Sequence, residues 1–181
     1  MNSWKQEDFI KAWNYASAVH NGQLMPGSDI PYINHIGLVA MEAMGAIANS
    51  YAINSPNLLV FCAILHDTLE DTDATYEDIV DEFGTAVASG VLALSKKAEL
   101  PSKQEKMKDS LERIKKEPVE IWMVKLCDRI TNLQPPPHHW DKEKIARYKE
   151  EAILILNELG SANDFLADRL KLKIEKYEQY E

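Results

Sequence analysis

The sequence predicts an all-α protein with a single domain spanning residues 1–181. Apolar side chains recur every three or four residues over most of the chain, as in Phe9, Trp13 and Ala16, and this spacing is typical of one face of a helix. The strict alternation of apolar and polar residues that marks strands is hard to find. The chain has 181 residues, 45% of them hydrophobic, which is enough to form one core without disulfides. We therefore expect a helical bundle of about eight to ten helices.

Capping and stop signals divide the chain into helices. Residues that cap helix starts are Ser3, Ser55, Thr75 and Ser102. Residues that end helices are Gly84, Gly160 and the three prolines at 135–137. A turn-rich loop, residues 21–31, separates the first two helices. Together with the apolar periodicity, these signals predict helices at residues 4–20, 33–48, 56–69, 76–83, 85–95, 103–116, 118–133, 142–159 and 162–178.

The composition excludes several classes of protein. With 29 Asp and Glu against 20 Lys and Arg, the formal net charge is −9, so we expect no nucleic-acid partner. The longest apolar run, residues 58–65, is far shorter than the ~20 residues of a membrane-spanning helix. The N-terminus is charged where a signal peptide would be apolar, so we expect a cytoplasmic protein without a membrane partner. Cys62 and Cys127 lie in apolar helical patterns, and we expect them to be reduced core residues.

Charge is unevenly distributed along the chain. Residues 12–95 contain no Lys or Arg but ten acidic residues, eight of them within residues 67–82. Such a segment repels a phosphate-bearing ligand unless a cation is bound there. Residues 96–116 carry eight basic residues against four acidic ones. These lysines form either a solvated helix face or a surface that holds phosphates.

Four ionisable residues follow a strongly apolar segment. His66 and Asp67 come directly after it, and Glu70 and Asp71 follow one helical turn later. Buried polar groups need partners, so this density of charge calls for a counter-ion. A histidine satisfied within the core is the alternative for His66.

Two other helices contribute similar residues. Asp128 lies on the inward-facing stripe of its helix, where the alternative is a structural ion pair with Arg129, and His35 opens the second helix. With His66 and Asp67 they supply two imidazoles and two carboxylates, a mixed set suited to one divalent metal. Carboxylate-rich ligation favours Mn²⁺ first, then Fe²⁺ or Mg²⁺, while Zn²⁺ in structural sites prefers thiolates. A metal-bound water needs a carboxylate that positions or deprotonates it, and Glu70 and Asp71 are the candidates.

The sequence resembles the HD-domain metal-dependent phosphohydrolases, and among them the stand-alone RelA/SpoT-type alarmone hydrolases, including metazoan SpoT-like ones. The segments that carry the resemblance are HNGQ at residues 20–23, PYINHIGLVA at 31–40, AILHDTLEDT at 63–72 and VKLCDRITNLQ at 124–134.

The resemblance implies an HD-type bundle and a function. His35, His66, Asp67 and Asp128 match the family's metal ligands, and Glu70 and Asp71 match its catalytic acidic pair. Asn132, Lys97, Lys103 and Tyr148 match residues that contact the nucleotide substrate. The implied reaction is Mn²⁺-dependent release of pyrophosphate from the ribose 3′ position of guanosine tetra- or pentaphosphate.

One segment departs from the family pattern. After Gln23 the family has a run of Arg and Lys, whereas this chain has Leu24, Met25 and Pro26. Guanine selectivity is therefore expected to be weak, so that guanosine and adenosine alarmones are both substrates. The alternatives are a hydrolase for another phosphorylated nucleotide, such as a phosphomonoester or the 2′-phosphate of NADPH, and a non-catalytic metal-bound nucleotide sensor.

Overall fold

The protein is helical throughout the part of the chain that its computed structural model describes, residues 4–50 and 53–180. These residues contain no strand, only an isolated antiparallel bridge between Leu24 and Pro31 in the loop after the first helix. The predicted all-α class is confirmed. No helix within these residues is both long and apolar enough to cross a membrane.

Ten α-helices follow one another in the described residues. They are α1 Gln6–Val19, α2 Ile33–Asn49, α3 Pro56–Leu65, α4 Thr68–Asp71, α5 Tyr76–Phe83, α6 Thr85–Leu94, α7 Lys103–Ile114, α8 Val119–Asn132, α9 Lys142–Leu159 and α10 Asp164–Tyr177, with 3₁₀ turns at Gly160–Ala162 and Glu178–Tyr180.

Most predicted helix boundaries agree with these bounds to within two or three residues. The Thr75 side chain accepts a hydrogen bond from the backbone of Asp78, whose carboxylate accepts one in return, a complete capping box at the start of α5. Gly84 ends α5 with φ of +85°, a conformation that favours glycine. The predicted cap at Ser3 lies outside the described residues.

The predicted helix at residues 56–69 is wrong at its end. Helix α3 ends at Leu65, the backbone of Asp67 turns with φ of −100° and ψ of 1°, and α4 begins at Thr68. Consecutive side chains on a continuous helix point about 100° apart, whereas His66 Nε2 and Asp67 Oδ2 lie 2.8 Å apart. The break in the helix allows both side chains to reach the same point.

The centre of the bundle is formed by α2, α3 and α8, which pack against one another. Fully buried residues adjoin the polar side chains of interest: Ile36 follows His35 on α2, and Leu65 precedes His66. The bidentate ion pair of Arg169 with the buried Glu42 ties α10 to α2. The polar cluster is thus held by rigid, well-packed elements.

Candidate metal centre

The four predicted metal ligands converge at one point between α2, α8 and the α3–α4 junction. His35 Nε2 lies 3.3 Å from His66 Nε2 and 3.6 Å from both Asp67 Oδ2 and Asp128 Oδ1. Ligand atoms of His35, His66 and Asp128, all buried, lie within 4.8 Å of one another. Donor atoms of His35, His66 and Asp128 therefore surround a space suited to one cation, and Asp67 Oδ2 lies beside the two histidines.

The chemistry of these donors fits a divalent metal. His66 Nδ1 donates to the carbonyl oxygen of Ala63 at 2.9 Å, so in the neutral ring, the form that binds a metal, the lone pair is on Nε2 and faces the other ligands. Two imidazoles and two carboxylates form a mixed nitrogen and oxygen set that suits Mn²⁺, Fe²⁺ or Zn²⁺. Buried carboxylates are costly unless a cation compensates them, so the donor set and its burial both favour metal binding.

The electrostatics of the cluster follow from its two carboxylates, the buried Asp128 and the half-buried Asp67. Burial disfavours the charged form of His66, but Asp67 and Asp128 outweigh burial and raise its pKa to about 9. Burial also disfavours the charged form of Asp128, yet Lys125 and His66 hold the pKa of Asp128 well below its ordinary value. Burial raises the pKa of Asp67, but His66 and His35 outweigh burial and lower it, so both carboxylates are ionised at neutral pH and attract positive charge.

Neighbouring side chains orient the two carboxylates. Lys125, buried on α8, donates to Asp128 Oδ2 at 2.9 Å, and Asn132 donates to Asp128 Oδ1. The Tyr32 hydroxyl donates to Asp67 Oδ2 at 2.5 Å. Sequence reasoning missed Lys125 and Tyr32. A lysine in an apolar stretch three residues before Asp128 was the available signal for the first of them.

Among the described residues Asp128 forms its ion pair with Lys125, and Arg129, the partner expected from the sequence, pairs elsewhere. Its guanidinium donates to Glu151 on α9 at 3.1 Å and lies 4.6 Å from the ring centre of Tyr148. The Tyr148 ring also meets the edge of Trp140 at 5.1 Å. Tyr148 is thus fixed between α8 and the segment before α9.

Glu70 and Asp71 lie on α4, directly after the ligands, and both are accessible to solvent. Glu70 accepts hydrogen bonds from the backbone nitrogen of Lys96 at 2.8 Å and from its ammonium at 3.3 Å. Asp71 Oδ2 accepts from Gln23 Nε2 at 3.3 Å. Burial and the nearby charge of Asp67 raise the pKa of Asp71. The two carboxylates therefore have different partners, one cationic and one neutral.

The basic segment approaches the site through Lys96. Burial lowers its pKa, but Glu70, Asp128 and Asp67 outweigh burial and raise it, so Lys96 carries a positive charge beside the cluster. Lys97 instead pairs with Asp109 at 3.0 Å, and Lys103 is the exposed first residue of α7. Sequence reasoning counted Lys96 among the basic residues without singling it out, because only the tertiary fold brings it to Glu70.

Comparisons with known proteins agree with this architecture. A family model described as HD domain matches residues 12–164. The guanosine-3′,5′-bis(diphosphate) 3′-pyrophosphohydrolase MESH1 of Danio rerio is 29% identical over 178 residues, 94% of this chain and 94% of that protein. Its Drosophila melanogaster counterpart is 27% identical over 181 residues, 97% of this chain and 96% of the relative. A solved structure, described as a metazoan ortholog of SpoT that hydrolyzes ppGpp, has a TM-score of 0.81 at 26% identity and covers 96% of this chain and 97% of its own.

Proposed function

Because the chain belongs to the HD domain family, as its motifs predict, we propose that it releases pyrophosphate from the 3′ position of guanosine 3′,5′-bis(diphosphate), ppGpp. The main support for this proposal is that His35, His66 and Asp128 converge on one buried point. Glu70 and Asp71 of α4 follow the cluster directly in the sequence. Relatives similar over nearly their whole length are named for this reaction, which supports the choice of substrate.

We propose one divalent metal, held by His35, His66, Asp67 and Asp128. Mn²⁺ is our first choice, and Fe²⁺, Mg²⁺ and Zn²⁺ are the alternatives. When bound, such an ion lowers the pKa of a coordinated water and polarises a phosphoryl oxygen.

Asp71 and Glu70 have different roles in the proposed reaction. Asp71, which accepts a neutral amide hydrogen bond from Gln23, takes the proton of the attacking water. The water oxygen ends on the phosphorus next to the ribose, and the bond from that phosphorus to the 3′ oxygen breaks. The 3′ oxygen takes up a proton from solvent, and Asp71 releases to solvent the proton that it accepted, giving GDP and pyrophosphate. Glu70 holds Lys96 at the site, where the ammonium offsets negative charge on the substrate.

Substrate contacts come from both sides of the centre. Lys96, Lys97 and Lys103 supply positive charge for the phosphates. Asn132 and Tyr148 line the nucleoside side, where Asn132 already contacts Asp128. These roles for Lys97, Lys103, Asn132 and Tyr148 are carried over from the family resemblance.

A product assay separates this proposal from its alternatives. Protein loaded with Mn²⁺ is incubated with ppGpp, its adenosine analogue, nucleoside monophosphates and NADPH, and both pyrophosphate and orthophosphate are measured. Pyrophosphate from ppGpp supports the proposal, orthophosphate favours a phosphomonoesterase, and binding without turnover favours a sensor. The His66→Ala variant, which removes one ligand, serves as the negative control.

A further inference from the structure

A tight turn at the end of α1 fixes the side chain of Gln23. The backbone nitrogen of Gln23 donates to the carbonyl oxygen of His20 at 3.0 Å, and Gly22 between them has φ of +82°, in the left-handed region that favours glycine. The carbonyl oxygen of Gln23 accepts from the backbone nitrogen of Tyr32 at 2.9 Å. Hydrogen bonds on both sides of the residue therefore define where its amide can reach.

The Gln23 amide bridges His20 and Asp71. Its Oε1 lies 2.6 Å from His20 Nδ1, and its Nε2 donates to Asp71 Oδ2 at 3.3 Å. An ionised carboxylate only accepts hydrogen bonds, so the NH₂ group must face Asp71 and the carbonyl must face His20. This orientation requires that His20 Nδ1 carries a proton and donates it to Gln23.

The environment of His20 agrees with that tautomer. The residue is only 4% exposed, and within the described part of the chain its Nε2 is buried without a hydrogen-bond partner. A buried N–H without an acceptor is unfavourable, so the neutral ring places its proton on Nδ1, where the Gln23 carbonyl accepts a hydrogen bond from it. The His20 ring centre also lies 5.3 Å from that of Tyr32, whose hydroxyl donates to Asp67.

We propose that Gln23, itself oriented by His20, is a positioning residue that holds the Asp71 carboxylate for the hydrolysis proposed above, on which this inference rests. By donating to Oδ2, Gln23 fixes the rotation of the carboxylate and leaves Oδ1 to accept the proton of the attacking water. The support reaches Asp71 from the end of α1 and the loop after it, and neither Gln23 nor His20 is one of the proposed metal ligands.

The kinetic test replaces Gln23 by methionine, which keeps the length of the side chain and removes its amide. Misplacing a reacting group by about 1 Å costs on the order of 10²-fold in rate, so we expect the kcat of Gln23→Met to fall about 10- to 100-fold. KM for ppGpp should stay within about twofold of wild type, as should Mn²⁺ affinity measured by calorimetry, because the substrate and metal contacts are retained. Gln6→Met, an exposed glutamine at the opposite end of α1, is the matched control.

Two variants of His20 distinguish the effect of its hydrogen bond to Gln23 from the effect of its side-chain volume. Asn Nδ2 occupies the place of His Nδ1, so His20→Asn should keep most of kcat, whereas His20→Ala should lose as much as Gln23→Met. Equal losses in both His20 variants would overturn the role of His20. Unchanged kcat in Gln23→Met with an active wild type would overturn the positioning role alone, whereas a wild type that releases no pyrophosphate would contradict the proposed function.

Nitrogen-15 NMR of the imidazole rings provides a readout that does not depend on activity. We expect His20 in the wild-type protein to be the neutral Nδ1–H tautomer and to lose that preference in Gln23→Met. An Nε2–H tautomer in the wild type would overturn the inference, because Nδ1 could not then donate to Gln23.

Discussion

Replacing Lys125 by methionine tests whether the buried charge of Asp128 destabilises the metal-free protein and whether a bound cation compensates that charge. Methionine keeps much of the apolar length of lysine and removes the ammonium. In the wild type this ammonium lies 2.9 Å from Asp128 Oδ2, and the two side chains are only 6% and 10% exposed. The substitution leaves the Asp128 carboxylate buried without its nearest positive charge.

The expected loss follows from these distances. At an effective dielectric constant of about 20, two unit charges at this separation attract by about 6 kcal/mol, and desolvation of both groups offsets part of that attraction. Removing one partner of a buried pair typically costs about 3–5 kcal/mol. Asn132 still donates a hydrogen bond to Asp128 Oδ1 in the variant, which retains part of the compensation. We therefore expect the free energy of unfolding of metal-free protein to fall by about 3 kcal/mol.

Urea denaturation with a chelator and with saturating Mn²⁺ measures this effect. Bound metal replaces the missing positive charge, so the loss in Lys125→Met should be clearly smaller with Mn²⁺ than without it. Lys116→Met, at an exposed lysine, should change stability by less than about 0.5 kcal/mol. A loss below about 1 kcal/mol in Lys125→Met, or an equal loss with and without metal, would refute the reasoning.

Three further predictions concern activity. A Glu70→Gln, Asp71→Asn double variant should keep Mn²⁺ affinity and lose kcat about 10²- to 10⁴-fold, because it removes the proton acceptor but no ligand; unchanged kcat at saturating substrate would contradict this role. Replacing Lys97 and Lys103 by glutamine should raise KM and weaken the dependence of kcat/KM on ionic strength, which a salt titration measures. An unchanged KM would show that these two lysines do not bind the phosphates and belong to a solvated helix face. Guanosine and adenosine substrates should differ in kcat/KM by no more than about tenfold, because Leu24 stands where the family has basic residues; a guanine preference above about a hundredfold would show that other groups read the base.

The helical architecture could be predicted because its signals are local. The capping box at Thr75 and the glycine stop at Gly84 depend only on neighbouring residues, and both occur as predicted. The break after Leu65 could not be predicted in this way, because no glycine or proline interrupts residues 66–71. Only the need for His66 and Asp67 to reach one point, a tertiary requirement, ends α3 there.

Only some of the residues of the candidate site could likewise be predicted from the sequence. Charged residues at inward-facing positions, such as Asp128, stand out in a sequence because burial makes them costly. The groups that support them do not stand out, because their significance depends on contacts between distant segments. Lys96 meets Glu70 across 26 residues, and Gln23 meets Asp71 across 48. The pairing of Arg129 with Glu151 instead of Asp128 likewise depends on how α9 packs against α8.

The measurement that tests the proposed function most directly is separation of the products formed from ppGpp by the Mn²⁺-loaded protein. We expect GDP and pyrophosphate in equal amounts from the wild type and neither from His66→Ala, with metal analysis showing one bound ion in the wild type. Orthophosphate as the product, or no turnover by a wild type that retains one metal ion per chain, would contradict it.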